Sequence, residues 1–189
     1  MSDSLYRKRP GAGHNRPVPG YTVAVLLALT CLTPVTAAAV EDLGAAPAFS
    51  LETTSGETVT LHEILKKGPV VLDFWATWCG PCRKALPRLQ DLYEAHAEDG
   101  LTVIAVSTDE PRNRPKIDAT VRSLGLTFPV LTDGDKEVAR LYRVDSVPTT
   151  FLISQAGRVT AYHRGYREGD EKRLAAEIKE LLAETRVSQ

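Results

Sequence analysis

The pattern of hydrophobic and polar positions is strongest in the middle of the chain, where it predicts a buried strand followed by an amphipathic helix. Residues 70–76 are almost continuously apolar, which is typical of a central strand covered on both faces. From about residue 81 to residue 97, the residues that recur at helical spacing are Ala85, Leu86, Leu89, Leu92, Tyr93 and His96. The residues between these two elements are therefore predicted to form a strand-to-helix junction.

On either side of this unit, the pattern predicts further short elements. Residues 41–61 carry turn signals at 46–47 and 55–56 and alternating runs at 49–51 and 58–61, which predict a small hairpin. Strands are predicted downstream at 101–106, 128–131, 149–153 and 159–163, with a turn at Gly157 between the last two. Helices are predicted around Ile117, Val121 and Leu124, around Val138, Leu141 and Tyr142, and around Leu174, Ile178, Leu181 and Leu182. This order predicts an α/β fold with a central mixed β-sheet flanked by helices.

The composition is that of an ordinary globular protein of 189 residues, with 43% apolar and 25% charged side chains, and predicts one domain plus a short appendage. The net charge of -1 is unevenly distributed, because residues 1–39 contain four basic side chains against one acidic side chain. The rest of the chain is mildly acidic, without a basic stripe, and aromatic residues make up only 6% of the sequence. We therefore do not expect nucleic-acid binding.

Residues 1–39 have the layout of a secretory signal, with a basic segment, an apolar run and small residues at the end. The apolar run is about a dozen residues long, short of the roughly 20 that a membrane-spanning helix needs. We expect cleavage near Ala37 or Ala39, which leaves a domain of residues 40–189. The alternative is an uncleaved membrane anchor over residues 21–40. Both alternatives place the folded domain in the periplasm or another extracytoplasmic space.

Two of the three cysteines, Cys79 and Cys82, lie at the predicted strand-to-helix junction, while Cys31 lies in the apolar run. A disulfide that closes so short a loop would add little stability. A structural zinc site would need two more ligands, which the scattered histidines do not supply, and haem attachment would need a histidine in place of Arg83. The residues favour redox chemistry without a metal or a bound cofactor.

Thiol-disulfide exchange explains why these residue types occur together. A thiolate must attack a disulfide sulfur, and a free cysteine is mostly protonated at neutral pH. At the first turn of a helix, unpaired N–H groups and the helix dipole stabilise the anion, which predicts that Cys79 is the nucleophile. Cys82, one turn deeper, is the predicted resolving thiol. Pro81 suits an opening helical turn, and Gly80 permits close approach of a partner.

Asp73 is the candidate acceptor for the proton that Cys82 must lose. A carboxyl group in an otherwise apolar strand should have a raised pKa, which suits a general base. The competing interpretation is a strand residue at a solvent-facing edge. Spacing alone does not separate the two.

The sequence of residues 71–83, which contains Trp78-Cys79-Gly80-Pro81-Cys82, resembles the active-site region of thioredoxins. The order of elements from about residue 46 to residue 182 is similar to that of the TlpA/ResA-type exported thiol-disulfide oxidoreductases. The resemblance covers most of the chain. It implies a thioredoxin fold with an N-terminal hairpin and an extra helix inserted around residues 117–124.

The same resemblance implies roles for individual residues. Asp73 falls at the position of the buried acid of thioredoxins, and Cys79 and Cys82 would cycle between a dithiol and a disulfide. Val147 and Pro148 match the cis-proline loop, which faces the cysteines and pairs with the backbone of a substrate. The residues expected to contact substrate are Trp78, Gly80, Pro81, Val147 and Pro148.

One position departs from the pattern. Several members of the exported subfamily carry a glutamate three residues after the second cysteine, where this chain has Ala85. Proton handling therefore resembles that of cytoplasmic thioredoxins, which rely on the acid at position 73. Trp75 and Trp78 are expected to pack at the rim of the site, with a minor role in partner contact.

The leading hypothesis for function is a monomeric reductant of disulfides in exported proteins. By resemblance, its substrates would belong to cytochrome c maturation or copper-site assembly, and a membrane thiol protein would supply its electrons. A peroxiredoxin-like thiol peroxidase is an alternative, although its motif requires Thr or Ser at the position of Ala76. A metal carrier that uses the CxxC pair is a further alternative, distinguishable by stoichiometric metal binding to the reduced protein.

Overall fold

The helices and strands follow the predicted alternation. The structure, a computed structural model, describes residues 44–187. Its strands are β1 (Ser50–Thr53), β2 (Thr58–Thr60), β3 (Val70–Trp75), β4 (Thr102–Ser107), β5 (Val130–Thr132), β6 (Thr149–Ile153) and β7 (Val159–Arg164). Its helices are α1 (Leu61–Leu65), α2 (Gly80–His96), α3 (Arg114–Leu124), α4 (Glu137–Leu141) and α5 (Asp170–Val187), with a 3-10 turn over Pro111–Asn113 in front of α3.

The strands of the described residues form a mixed sheet in the order β2-β1-β5-β4-β3-β6-β7. β4 pairs in parallel with β3 and β5, and the other neighbouring pairs are antiparallel. The apolar strand β3 lies between β4 and β6, and all of its residues are buried. These features confirm the predicted α/β fold, with β1–β2 as the N-terminal hairpin and α3 as the inserted helix.

The two faces of the sheet carry separate hydrophobic cores, and alternate residues of β3 contribute to each. Val71 and Trp75 pack on the face covered by α2 and α5. Leu72 and Phe74 pack on the opposite face, which α1 and α4 cover. Successive side chains of a strand point to opposite faces, so a strand inside both cores must be apolar throughout. Asp73 is the exception, and it shares the face of Val71 and Trp75.

Helix α1 corrects the sequence prediction, which placed residues 58–61 in a strand. The strand ends at Thr60, and Leu61 begins the helix. The hydroxyl of Thr60 accepts a hydrogen bond from the backbone N–H of Glu63 at 3.2 Å, so it caps the helix. Leu61 and Ile64 then become buried on one helical face. The threonine followed three residues later by glutamate was the sequence signal for this helix.

The predicted signal or anchor segment, residues 1–39, lies outside the residues that the structure describes. The predicted start of the folded domain at residue 40 lies outside them as well. Between residues 44 and 187, none of the helices has both the length and the apolar character needed to cross a membrane.

Candidate active site

The site centres on the amino-terminal end of α2, where a disulfide joins Cys79 and Cys82. Cys79 caps the helix, and its Sγ atom accepts a hydrogen bond from the backbone N–H of Cys82 at 3.1 Å. Cys79 is 4% exposed, whereas Cys82 has no exposed surface. After reduction, that N–H and the positive end of the helix dipole would stabilise a thiolate on Cys79. The more exposed sulfur is therefore also the one that the helix favours as an anion.

Gly80 and Pro81 form the first turn of α2 and are both exposed. Gly80 has no side chain, and a Cβ atom at its position would meet nothing within 4 Å. The surface beside Cys79 is therefore open to the backbone of a partner chain, which the predicted role of these two residues requires.

A buried carboxylate holds the turn that leads into α2. Asp109, just after β4, accepts a hydrogen bond from the backbone N–H of Thr77 at 2.7 Å and another from the Thr77 hydroxyl at 2.8 Å. The hydroxyl of Ser107 donates to the same carboxylate at 2.9 Å. The N–H of Cys79 donates to the carbonyl of Ala76 at 3.1 Å and closes the turn. Asp109 thus fixes the segment that carries Cys79.

Sequence reasoning did not identify Asp109 or Thr77. The signal was their position, because the polar residues 107–109 directly follow a buried run. The parallel strands β3 and β4 end at the same edge of the sheet, which is where open α/β sheets place their functional groups. The strand order of the folded sheet shows that the ends of β3 and β4 are neighbours. The sequence pattern alone does not determine this order.

Asp73 lies in the middle of β3, which is a central strand of the sheet. Its side chain has no exposed surface, so the interpretation as a solvent-facing edge residue is wrong. The hydroxyl of Thr150 on β6 donates to Asp73 Oδ1 at 2.7 Å, while Oδ2 has no hydrogen-bond partner among the described residues. Burial raises the pKa of Asp73 to about 7, and the hydrogen bond from Thr150 opposes this rise.

Asp73 lies on the face of the sheet that also carries the disulfide. Its neighbours on that face of β3, Val71 and Trp75, belong to the same core cluster as Cys79 and Cys82. A carboxyl group with a pKa near 7 on this face has the protonation range of a general base at neutral pH. Its assignment as the acceptor for the Cys82 proton stays a prediction.

The two tryptophans of the region occupy opposite environments. Trp75 has no exposed surface and packs in the core beside the cysteines, and its indole N–H has no hydrogen-bond partner among the described residues. Trp78 is 73% exposed, so the expectation that it is a packing residue is wrong. An exposed indole next to Cys79 suits contact with a partner protein instead.

The loop in front of β6 lies against the disulfide. The peptide bond between Val147 and Pro148 is cis, and the carbonyl oxygen of Val147 lies 3.5 Å from the Sγ atom of Cys79. The loop is held from two sides: the hydroxyl of Thr149 donates to the carbonyl of Ser146 at 2.7 Å, and the N–H of Gly165 donates to the carbonyl of Pro148 at 2.7 Å. Backbone groups of this loop are therefore placed beside the reactive sulfur.

Ala85, the departure from the subfamily pattern, is buried one turn after Cys82. It lines a groove between α2, β7 and α5 together with Pro148 and Thr150. Residue 85 therefore contributes only a methyl group to this groove.

This arrangement supports thiol-disulfide exchange. It provides a helix-capping cysteine, a second cysteine within bonding distance, and a buried carboxyl group on the same face. Across residues 44–187, there is no group of three or more His, Cys, Asp or Glu side chains arranged to hold a metal ion.

This combination of fold and cysteine pair defines the class of thioredoxin-like thiol-disulfide oxidoreductases. Within that class, residues 44–162 match the model of the AhpC/TSA family, and the chain belongs to that family. The match contains both cysteines, Asp73 and the cis-proline loop.

Several proteins of similar sequence are named thiol-disulfide oxidoreductases. The chain is 35% identical over 134 residues to thiol-disulfide oxidoreductase ResA of Halalkalibacterium halodurans, a match that covers 71% of this chain and 73% of the relative. It is 39% identical over 114 residues to ResA of Bacillus subtilis, which covers 60% of this chain and 62% of that relative. The chain therefore spans slightly less than two thirds of the Bacillus subtilis protein.

Solved structures show the same likeness. The chain is similar to a crystal structure from Chlorobium tepidum assigned as the thiol:disulfide interchange protein DsbE, with a TM-score of 0.69 and 31% sequence identity. That match covers 76% of this chain and 99% of the Chlorobium tepidum chain. The predicted membership of a ResA-type group of thioredoxin-like proteins is confirmed.

Proposed function

We propose that the protein reduces disulfide bonds in exported proteins outside the cytoplasm, using Cys79 and Cys82 as its redox-active pair and no bound cofactor. The observation that carries the proposal is the disulfide at the start of α2, with Cys79 capping the helix and lying beside the carbonyl of Val147. A sulfur in that position is stabilised as a thiolate and is accessible to a polypeptide bound along the loop.

The reaction has two thiol-disulfide exchange steps. The Cys79 thiolate attacks one sulfur of a substrate disulfide, which forms a mixed disulfide and releases the other substrate sulfur as a thiolate. Cys82 then gives its proton to Asp73 and attacks the Sγ atom of Cys79. The bond between Cys79 and the substrate breaks, and the substrate leaves with both sulfur atoms as thiolates, which take up protons from water. The protein is left with the Cys79–Cys82 disulfide. Two electrons from a membrane thiol protein restore the dithiol.

Several observations support the direction, location and partners in this proposal. A CGPC pair in a thioredoxin-like setting has a low potential, about -270 mV in thioredoxin, which favours a reductant. The signal-like segment of residues 1–39 supports export. The named relatives act on thiols and disulfides, and the subfamily resemblance supports cytochrome c maturation or copper-site assembly as the source of substrates.

The first test is reduction of insulin disulfides by the reduced protein. We expect activity in the full-length natural chain and in its Cys31→Ser control, which keeps the redox pair intact. We expect none in Cys79→Ser, because the attacking thiolate is gone. An active Cys79→Ser variant would contradict the proposal, as would a natural protein that consumes hydrogen peroxide or binds metal stoichiometrically instead of reducing insulin.

The substrate itself can be captured with Cys82→Ala. Without the resolving thiol, the mixed disulfide persists, and Cys79 stays covalently joined to its partner. Mass spectrometry of the trapped species from an extracytoplasmic fraction should identify exported proteins with a disulfide. A Cys79→Ser/Cys82→Ala double variant is the control, because it should trap nothing.

A further inference from the structure

The buried position of Asp73 raises the question of how its proton reaches solvent. The side chain has no exposed surface, and β3 has neighbouring strands on both sides. On the β4 side, its register partner is Ala105, which cannot carry a proton. On the β6 side, its register partner is Thr150, whose hydroxyl hydrogen-bonds to Asp73 Oδ1. Among the described residues, Thr150 is the side chain hydrogen-bonded to Asp73.

Thr150 also borders solvent. It is 9% exposed and lines the groove between α2, β7 and α5, beside Pro148 and Ala85. The groove has room for at least one water molecule next to these side chains. Residue 85 contributes only a methyl group, so α2 places no carboxyl group in the groove at that position. The Thr150 hydroxyl therefore lies between the buried acid and the water that could take its proton.

The titratable and charged groups around Thr150 interact with residues other than Thr150. On β7, its register partner His163 contacts Glu177 and Arg173 of α5 through its two ring nitrogens. The other titratable or charged groups that face Asp73 or line the groove are Cys82 and Arg88 of α2, Tyr166, and Asp170 and Glu171 of α5. Tyr166 donates to Glu171 at 2.9 Å. No hydrogen bond joins any of these described groups to Thr150.

We propose that Thr150 is a positioning residue for the exchange reaction, whose hydroxyl orients the Asp73 carboxylate and relays its proton to the groove. The inference rests on the proposed function, because the proton comes from Cys82. Protonated Asp73 donates its proton to the Oγ1 atom of Thr150, and the hydroxyl passes its own proton to a water molecule. Thr150 keeps one hydrogen, Asp73 recovers its negative charge, and the water carries the proton away.

The experiment follows the reduced protein as it reacts with the aryl disulfide dithiobis(nitrobenzoate). Attack by Cys79 releases the first aryl thiolate, and attack by Cys82 on the mixed disulfide releases the second. For Thr150→Val, we expect an unchanged first phase and a second phase roughly three- to tenfold slower at pH 7. We expect the pH midpoint of the second phase to rise by about one pH unit, because the carboxylate has lost a hydrogen bond that favours its ionised form.

Two controls separate this role from a purely structural one. Thr150→Ser keeps the hydroxyl and should restore the second phase. Thr160→Val makes the same chemical change on β7, where the hydroxyl donates to the carbonyl of Leu152 at 3.3 Å, and should leave both phases unchanged. Thermal unfolding of each variant checks that the fold is retained.

The decisive measurement is made in an Asp73→Asn background. If Thr150 acts through Asp73, adding Thr150→Val there should slow the second phase no further. A second phase that Thr150→Val leaves unchanged in the natural background, or slows equally in both backgrounds, overturns the inference. Absence of the first phase in the natural protein would instead overturn the proposed function, since that phase reports attack by Cys79.

Discussion

At the scale of single residues, the most consequential group is a carboxyl group inside the core. Asp73 accepts one hydrogen bond, from Thr150, and its Oδ2 atom has no partner among the described residues. Burial favours its neutral form and raises its pKa to about 7, well above the pKa of about 3.9 for an aspartate exposed to water. The folded protein therefore keeps this carboxyl group largely protonated until the pH approaches that value. The site therefore lowers the stability of the fold at neutral pH.

This effect predicts a pH-dependent stability. Between about pH 4 and pH 7, the folded state binds more protons at Asp73 than the unfolded state does, so the free energy of unfolding falls as pH rises through this window. Asp73→Asn removes that slope. We expect the variant to be more stable than the natural protein at pH 8, by a few kcal/mol and at most about 4, with a much smaller difference at pH 4. Urea unfolding of the oxidised proteins at both pH values measures this, and a difference independent of pH would contradict it.

At the scale of elements, the start of α2 depends on a neighbouring strand. The turn between β3 and α2 is tied to the end of β4 through Asp109, which receives hydrogen bonds from Thr77 and Ser107. The carboxylate is buried, so these hydrogen bonds replace its hydration. The parallel pairing of β3 with β4 is what brings the two strand ends together.

Loss of this link should affect both stability and reaction rate. Asp109→Ala removes three hydrogen bonds and leaves the Thr77 N–H unpaired, and we expect a loss of about 1–3 kcal/mol in the free energy of unfolding. Because Cys79 is then less precisely held, insulin reduction should slow severalfold. Asp91→Ala, which removes an exposed carboxylate paired with Arg88 on α2, is the matched control and should change neither quantity appreciably. Equal rates for both variants would show that the turn does not position the nucleophile.

At the scale of the whole molecule, the described residues form two hydrophobic cores. Their members lie between Ala46 and Leu182, on the two faces of the sheet. The disulfide, Asp73 and the cis-proline loop lie within the same range.

A chain that begins at residue 40 should therefore fold and react on its own. We expect the same unfolding midpoint and the same insulin-reduction rate as for the chain with the segment present, because the two cores and the site are retained. Circular dichroism and the insulin assay measure both quantities in parallel. A shortened chain that fails to fold would show that the predicted domain boundary is wrong.

Most elements could be predicted from the sequence, because the helices and the buried strands have clear periodicity. The exception was α1, because five residues are too few to show helical spacing. The capping residue Thr60 is what marks the start of this helix. Contacts between side chains on different strands could not be predicted from the sequence. The Thr150–Asp73 hydrogen bond joins residues 77 positions apart, and the Thr77–Asp109 pair joins residues 32 positions apart. No local pattern encodes such pairings.

The sequence by itself determined the alternation of elements, the class of fold and the identity of the cysteine pair. Local periodicity specifies elements, and the positions of Cys79 and Cys82 at a helix start specify their chemistry. The environments of particular side chains were decided only by tertiary structure. Burial of Asp73, exposure of Trp78 and the approach of Val147 to Cys79 all depend on which strands are neighbours. Strand order arises from contacts between segments that are distant in the sequence. Those contacts determine how polar the surroundings of each side chain are and whether solvent or a partner can reach it.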